Sequence, residues 1–416
     1  MATVLATFSV LKDHVKLKVT QDAVSIDNLV FKLHYRATFL ALLAASLLVC
    51  SRQFIGEHIR CIADLAIPPH VIDTYCFFTS TFTVVKHMDL DAVNEGILPH
   101  PGVGPVTDED PVVHHAYYQW VPFILFFQAI FFYLPHYIWR SKEGGRLKAL
   151  VAGLKLTSLS LRDEAITVND TVTIPSRLDT EQKLQTIRTA FLNRLHVNRP
   201  WAYYLGMCEV LNFINVLGQI YATDVFLGGA FLGLGHGVAK DKFDDEIDVL
   251  DIVFPKVTKC DFRKYGPSGT IQRHDALCVM ALNVVNEKIY IFLWFWLVIL
   301  AIITGLGLLW RILTMLLHAR SKKFNQMVFT MACPGRNNPW NVLTVTREYN
   351  FSDWLFLYYI AKNIDNHVFK GLFEKLAEDL QERRGEGYEK PLPPIPEEDK
   401  EEGQLLPTYE YQRKQA

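Results

Sequence analysis

Four stretches of the chain are apolar enough to cross a membrane, and polar segments of differing charge separate them. The apolar stretches cover residues 35–54, 117–139, 203–231 and 289–312. The last one includes the run from Ile289 to Trp310, which contains no charged residue and would be about 33 Å long as a helix. The pattern predicts four membrane-spanning helices.

The first apolar stretch allows two interpretations. Its core, residues 37–51, is close to the length of a signal-peptide core and contains several small residues. If Arg36 and Arg52 reach towards the two interfaces, the segment grows to about 20 residues, which is the length of a true span. We therefore interpret it as a span.

Polar positions in the second and third stretches predict that these helices contact protein or water. Pro122 and Pro135 each remove a backbone donor, which predicts a kinked second helix whose freed carbonyl groups need partners. In the third stretch, four polar residues recur at spacings close to one helical face. They are Glu209, Asn212, Asn215 and Gln219. Because such a stripe is costly against lipid, we expect it to face a partner or water.

The N-terminal segment, residues 1–34, contains an amphipathic pattern. Its apolar residues fall at helical spacing and its lysines lie mostly elsewhere. The pattern consists of Val4, Phe8, Leu11 and Val15 on one side and Lys12 and Lys16 on the other. Two interpretations remain: a helix on the membrane surface or a helix folded into a pore.

The C-terminal part divides into two segments. Residues 313–385 contain apolar residues at helical spacing, such as Trp354, Leu357 and Ala361, and are predicted to form folded helices. Residues 386–416 begin with a Pro-rich run and continue with many acidic residues, a composition typical of disorder. A Pro-rich docking motif in this tail is the alternative to a solvated tail.

Charge gives the spans a direction. The loop 140–202 has many basic residues beside the spans, whereas the loop 55–116 is strongly acidic. The positive-inside rule then places both termini and the loop 140–202 in the cytosol. The loops 55–116 and 232–288 are predicted to lie outside the cell.

The cysteines follow this division. Of the seven, Cys61 and Cys76 fall in the first outside loop, and Cys260 and Cys278 fall in the second. Two disulfides are expected in an oxidising compartment, with three possible connectivities. No Cys-x-x-Cys pair occurs, so the sequence does not predict an ordinary structural zinc site.

The sequence gives little support for nucleic-acid binding, nucleotide binding, calcium binding or catalysis. The net charge of −2 without a strongly basic block argues against nucleic acid as a partner. The glycines of residues 233–237 follow a span and lack the Gly-Lys-Ser/Thr of a phosphate-binding loop. The acidic residues 241–251 lack the central Gly and the terminal Glu of an EF-hand loop, which leaves at most a weak cation patch. We expect no enzyme activity, cofactor or metal, because no nucleophile and base are arranged together.

Several long motifs of the chain are distinctive. The clearest is the run Tyr117, Tyr118, Gln119, Trp120, Val121, Pro122, Phe123. Others are Ser51 to Gly56 followed by Cys61, Asp73 to Cys76, Glu143 to Arg146, Phe254 to Cys260, and Asp275 to Cys278 followed by Asn283 to Lys288. Together these motifs resemble those of the innexins, the invertebrate gap-junction proteins. The resemblance covers nearly the whole chain before about residue 386.

The resemblance implies a mainly α membrane protein with a four-transmembrane-helix bundle per subunit. Its extracellular α/β loops would be linked by disulfides, its cytosolic domain would be helical, and the subunits would assemble as a ring. It implies nested disulfides, Cys61 with Cys278 and Cys76 with Cys260, and an N-terminal segment folded into the pore. Trp120 and its neighbours are interpreted as an anchor at the outer membrane surface.

The expected function is that of a gap-junction channel subunit in the plasma membrane at cell-cell junctions. Its expected partners are membrane lipids, other innexins in a homo- or hetero-oligomeric ring of eight, and a second ring on the opposing cell. The alternatives are a non-junctional large-pore hemichannel, as in the pannexins, and a four-span adhesion or scaffold protein such as a claudin or tetraspanin. The outside loops contain no glycosylation sequon, which favours docking.

Overall fold

The computed structural model describes residues 24–55, 59–63, 67–151, 154, 166–169, 172–174, 177–193, 199–240, 249–332 and 350–385. In chain order its main elements are α1 (Leu29–Lys32, Leu33–Thr38 and Phe39–Ile55), β1 (Arg60–Ile62), α2 (Pro69–Thr79), β2 (Thr81–Val84), α3 (Leu90–Asn94), β3 (Val112–His115), α4 (Val121–Glu143), α5 (Arg146–Val151), β4 (Ile166–Asn169), β5 (Val172–Ile174), α6 (Arg177–Asn193), α7 (Arg199–Phe226), α8 (Phe231–Lys240), α9 (Val249–Val253), β6 (Val257–Tyr265), β7 (Ile271–Val279), α10 (Ala281–Leu317), α11 (Lys322–Ala332), α12 (Phe351–Asn363) and α13 (Asn366–Gly385).

Four helices are long and apolar enough to cross a membrane. They are α1 over Leu29–Arg52, α4 over Val121–Glu143, α7 over Arg199–Phe226 and α10 over Ala281–Leu317. Helix α1 packs against α4, α4 against α7, α7 against α10, and α10 against α1, so the four helices form one bundle. Three of these helices begin before the predicted start of their span: at Leu29 instead of residue 35, at Arg199 instead of residue 203, and at Ala281 instead of residue 289.

The early start of α1 has a local cause. The side chain of Asn28 accepts a hydrogen bond from the backbone N–H of Phe31 at 2.7 Å and so caps the helix. The next six residues, Leu33–Thr38, form a π-helical segment before α-helical geometry resumes. His34 and Thr38 of this segment are buried. Polar residues of the first span therefore lie inside the bundle. A search for runs of apolar residues leaves them out of the predicted span.

The two prolines of α4 occupy different positions in the helix. Pro122 lies in the first helical turn, where its missing N–H is not needed by the helix. Its carbonyl accepts a hydrogen bond from Ser46 Oγ of α1 at 2.8 Å, so it links two spans. Pro135 lies inside the helix, where a proline removes an intrahelical bond.

A five-stranded antiparallel sheet lies at one end of the bundle, with the order β1-β7-β6-β2-β3. Helix α1 ends shortly before β1, and α4 and α10 begin shortly after β3 and β7, which places all five strands at the same end. Three strands come from residues 60–115 and two from residues 257–279, so neither segment forms the sheet alone. Residues 59–120 and 249–280 are called the sheet end below.

The opposite end of the bundle is mostly helical and has its own hydrophobic core. Trp139 of α4 packs edge-on against Trp201 of α7, with ring centroids 5.2 Å apart, and Trp201 packs against Phe356 of α12 at the same distance. Trp354 is 1% exposed, and its indole N–H donates to Asn325 Oδ1 of α11 at 2.8 Å. Residues 24–28, 139–201 and 318–385, where described, are called the helical end.

A tight turn connects α4 to α5 at the helical end. Gly144 and Gly145 have φ values of 63° and 78°, a region that favours glycine. The Glu143 carboxylate accepts hydrogen bonds from the backbone N–H groups of Gly145 and Leu147, both at 2.7 Å. The motif of residues 143–146 thus ends one helix and caps the next.

Candidate functional site

Two disulfide bonds join the two segments of the sheet end. Cys61 of β1 is bonded to Cys278 of β7, and the two residues are direct partners in the strand pairing. Cys76 of α2 is bonded to Cys260 of β6, which fastens that helix to the sheet. The arrangement is nested, as the family resemblance implies. Three of these sulfur atoms lie within 4.8 Å of one another, but they are bonded in disulfides and offer no thiolate to a metal.

The residues Tyr117 to Gln119 form a single 3-10 turn between β3 and α4. The Tyr118 hydroxyl donates to the carbonyl oxygen of Phe77 at 3.2 Å, and Gln119 Nε2 donates to the same oxygen at 2.6 Å. Burial raises the pKa of Tyr118 to about 12, so the hydroxyl remains a neutral donor. The turn therefore ties α2, which carries Cys76, to the start of the second span.

The neighbours of this turn divide between the core and the surface. Tyr117 is packed edge-on against Phe254, with ring centroids 5.8 Å apart, and burial raises the pKa of its hydroxyl. Trp120 is 60% exposed and lies beside Phe123 at the start of α4. An exposed tryptophan at the end of an apolar helix is typical of a membrane interface. The predicted anchor residues thus lie together where β3 leads into α4.

Buried polar side chains connect the strands of the sheet end. A hydrogen bond of 2.9 Å joins His115 Nε2 of β3 to Thr83 Oγ1 of β2, and burial lowers the pKa of His115 to about 4. Lys259 of β6 donates to the carbonyl oxygen of Gly104 at 2.8 Å and lies 3.0 Å from the Asp275 carboxylate. These bonds link the edge strand β3 to β2, and β6 to β7 and to the loop that contains Gly104.

A polar seam runs between the spans. The carboxylate of Glu209 on α7 accepts two hydrogen bonds from the Arg311 guanidinium of α10, at 2.8 and 2.5 Å. It also accepts one from Asn28 Nδ2, just before α1, at 2.8 Å. Both side chains of the ion pair are largely buried, with exposed fractions of 8% and 19%. One carboxylate thus links three of the four spans.

The same seam continues towards the sheet end. Gln128 of α4 donates to Thr223 Oγ1 of α7 at 2.8 Å, and Asn212 and Gln219 of α7 are buried in the bundle. On the other side, a hydrogen bond of 2.9 Å joins His34 of α1 to Thr304 of α10. The polar stripe of the third span therefore faces the interior of its own subunit. The stripe was visible in the sequence, but its partner Arg311 lies about 100 residues away and could not be assigned.

Several sequence candidates lie partly or wholly outside the described residues. They are the N-terminal helix pattern with Val4, Phe8, Leu11, Lys12, Val15 and Lys16, the Pro-rich tail, and most of the acidic segment 241–251. Asp251, at the end of that segment, is described and lies 2.7 Å from Lys256 Nζ. This hydrogen bond to Asp251 is the main reason why the pKa of Lys256 is raised. Asp251 is thus neutralised by a lysine.

Comparison with known proteins agrees with this architecture. The model of the family described as Innexin matches residues 27–380, which include all four spans and both ends of the bundle. The chain belongs to the innexin family. It is 49% identical over 379 residues to Innexin inx7 of Drosophila melanogaster, covering 90% of this chain and 85% of that protein. It is also 44% identical over 372 residues to Innexin inx2 of Schistocerca americana, covering 86% and 95%.

Membership of the innexin family explains the combination of features. Innexins are membrane proteins that form oligomeric gap-junction channels with other innexins, and they are channel proteins rather than enzymes. In this innexin the disulfide-linked sheet and the bundle of four apolar helices both fall within the matched region. The sequence resemblance to the family is thereby confirmed.

Proposed function

We propose that eight copies of this chain, alone or mixed with other innexins, form a ring whose sheet end docks with a ring on the neighbouring cell. The joined rings pass ions and small molecules between the two cytoplasms. The observation that carries this proposal is the rigid sheet end, in which two disulfides and a shared sheet join both loops. Loops that are ordered before contact lose less conformational entropy on docking.

The proposed orientation has the sheet end outside the cell and both termini in the cytosol. Disulfides form and persist in oxidising compartments, which supports an outside position for the sheet end. Exposed basic residues at the helical end, including Arg140, Lys142, Arg146 and Lys148, support a cytosolic position for that end.

Paired cells provide the test of the channel proposal. When both cells express the protein, dual voltage clamp is expected to measure a junctional conductance, and when only one cell expresses it the conductance is expected to disappear. Currents across single membranes without any junctional conductance would instead support the non-junctional hemichannel. Absence of both currents, with the protein at the cell surface, would support an adhesion or scaffold role.

The tip of the β6–β7 hairpin is the proposed docking contact. Tyr265 and Ile271 flank this tip and are 77% and 64% exposed, although both are large and apolar. Changing both to Asp is expected to abolish junctional conductance and to leave single-membrane currents intact, because unpaired charges would face each other across the two rings. The matched control is Ile97→Asp, at a residue that is 69% exposed outside the hairpin tip. Unchanged coupling in the double variant would contradict docking through the tip.

The N-terminal residues are proposed to fold into the pore from the cytosolic side. The amphipathic pattern of residues 4–16 supports this proposal. Deletion of residues 2–12 is expected to change the single-channel conductance or the voltage gating and to preserve clusters at cell contacts. Unchanged single-channel behaviour would favour a helix on the membrane surface.

A further inference from the structure

Arg36 lies well inside the first span. Helix α1 begins at Leu29, so Arg36 is about 10 Å from the start of the helix. The residues on either side of it fix its level in the bundle. His34 lies 2.9 Å from Thr304 Oγ1, and Thr38 accepts a hydrogen bond from Trp296 Nε1, also at 2.9 Å. Thr304 and Trp296 both belong to the charge-free run 289–310 of α10. Because this run is expected to cross the membrane interior, the backbone of Arg36 is expected to lie at the same depth.

The side chain of Arg36 points out of the subunit. It is exposed, and its guanidinium carbon lies 5.3 Å from the centroid of the Tyr35 ring. Among the described residues no carboxylate lies within 4.0 Å of it, in contrast to Arg311, which is paired with Glu209. The arginines of the two spans therefore have different surroundings. Arg311 forms a close ion pair inside the bundle, whereas Arg36 interacts with the Asp27 carboxylate only at longer range.

A guanidinium without a close counter-charge at this level is costly against lipid. Insertion of an arginine near the centre of a membrane helix costs about 2.5 to 3.5 kcal/mol, and such residues usually face protein or a water-filled cavity. The π-helical segment Leu33–Thr38 contributes to this placement, because it turns His34 and Thr38 inwards while Arg36 faces outwards. π-Helical turns of this kind are frequent at functional sites.

The exposed position continues along the helix as a stripe. After Arg36, the exposed residues Leu40, Ala44 and Leu48 follow at intervals of four, which places them on one helical face. The next position at this interval, Arg52, is also exposed, so the stripe carries a cation near each end. Arg36 is the one nearer the helical end, and Arg52 is the one nearer the sheet end.

We infer that Arg36 faces the water of the channel and that its repetition around the ring forms a belt of positive charge that favours the passage of small anions. The inference rests on the proposed function as a channel and specifies the class of solute that this channel passes more readily. Rings of Arg or Lys favour anions in pores, as rings of Asp or Glu favour cations. Since a guanidinium stays protonated at all physiological pH values, this preference does not depend on pH in that range.

The test is the charge selectivity of the open channel. Single-membrane currents are measured in a gradient of KCl for the wild type and for Arg36→Lys, Arg36→Gln and Arg36→Glu, and the reversal potential gives the ratio of chloride to potassium permeability. We expect Arg36→Lys to preserve the ratio, Arg36→Gln to lower it about fivefold, and Arg36→Glu to lower it further. The factor corresponds to about 1 kcal/mol, the interaction of two unit charges about 4 Å apart in water. Lys323→Gln, which removes an exposed cation from α11, is the control and is expected to have no effect.

A second measurement does not require the channel to fold with a reversed charge at position 36. In a Cys50→Ser background, Arg36→Cys is treated with a cationic, water-soluble methanethiosulfonate. Modification restores the positive charge and is expected to return the ratio to the wild-type value, whereas an anionic reagent is expected to lower it. A cysteine that does not react, or a ratio that is equal in all variants, would overturn the inference. Those outcomes leave channel formation intact, whereas the absence of any wild-type current contradicts the proposed function itself.

Discussion

The two ends of the molecule are held together in different ways. At the sheet end, two chain segments share one sheet, and disulfides connect Cys61 to Cys278 and Cys76 to Cys260. At the helical end, large buried aromatic residues such as Trp139, Trp201 and Trp354 form a core, and no disulfide occurs among the described residues. The comparison teaches that each end has the type of bond that its proposed compartment permits. Covalent links suit an oxidising compartment, and apolar packing suits a reducing one.

Single hydrogen bonds support the helical end as well. Asn363 of α12 exchanges two bonds with the backbone of Ser25, at 2.7 and 2.9 Å, and so attaches the entry of α1 to the C-terminal helices. Arg188 of α6 forms an ion pair with Asp379 of α13. Residues far apart in the sequence thus meet there through reversible contacts, whereas at the sheet end they meet through covalent bonds.

The largest effect is expected from removal of a disulfide. We expect Cys61→Ser combined with Cys278→Ser to abolish junctional conductance, because loss of a native disulfide costs about 2 to 5 kcal/mol and frees β1 from β7. Dual voltage clamp of paired cells measures the result. Cys50→Ser, at a free cysteine of α1, is the control and is expected to couple normally. Normal coupling in the double variant would show that the sheet end does not need this disulfide to function.

Trp354→Ala is expected to destabilise the helical end by about 3 to 5 kcal/mol, because it leaves a cavity and removes the hydrogen bond to Asn325. Limited proteolysis of the purified protein is expected to cut α11 to α13 much faster, while the sheet end remains intact. Met331→Ala, at a residue that is 67% exposed, is the control. Equal loss of protection at both ends would show that they unfold as one unit.

Glu209→Gln is expected to destabilise the bundle between the two ends by about 3 kcal/mol, because Arg311 then remains buried without its counter-charge. The measurement is thermal unfolding in detergent micelles. Glu209→Gln combined with Arg311→Met is expected to recover much of the loss, since neither charge remains. A double variant as unstable as the single variant would show that the pair acts through more than charge neutralisation.

The smallest effect is expected from pH at the sheet end. The lowered pKa of His115, about 4 against 6.5 for a free histidine, means that the unfolded state binds a proton more readily than the folded state. The stabilisation is therefore complete above about pH 6.5 and is lost as the pH falls towards 4, with a total of about 1 to 3 kcal/mol. Thermal unfolding between pH 7.5 and 4.5 measures it.

His115→Gln is the matched variant for this measurement. It keeps a polar group near Thr83 and removes the titrating ring, whose other neighbours include His114 and the ring of Tyr117. The variant is expected to show a flatter dependence on pH. An identical dependence in both proteins would assign the effect to another group.

Much of the architecture could be predicted from the sequence, and the failures have identifiable causes. The four spans were visible because long apolar runs have few other uses. The start of α1 was not, since Lys32, His34 and Arg36 lower the apolar average of residues that nevertheless belong to the helix. The prediction that Arg36 and Arg52 reach the two membrane interfaces was based on the shorter predicted span, residues 35–54.

Pairings over long distances could not be derived from patterns. Four cysteines allow three connectivities, and only the resemblance to the family favoured the nested one. The stripe from Glu209 to Gln219 showed that a partner was needed but did not identify Arg311 or Asn28. Pro122 was expected to bend its helix, but the same residue is harmless in a first turn, and the sequence does not determine where a turn begins.

The order of the strands has a consequence for biosynthesis. Strand β1 is made early, but its neighbour in the sheet, β7, lies 217 residues later when measured between Cys61 and Cys278. The first three spans must therefore be synthesised and inserted before β1 can pair and its cysteine can be oxidised correctly. A nascent subunit exposes two unpaired thiols of its first loop throughout this time. Completion of the sheet thus requires that the first three spans have been made, whereas the fourth, α10, follows β7 in the chain.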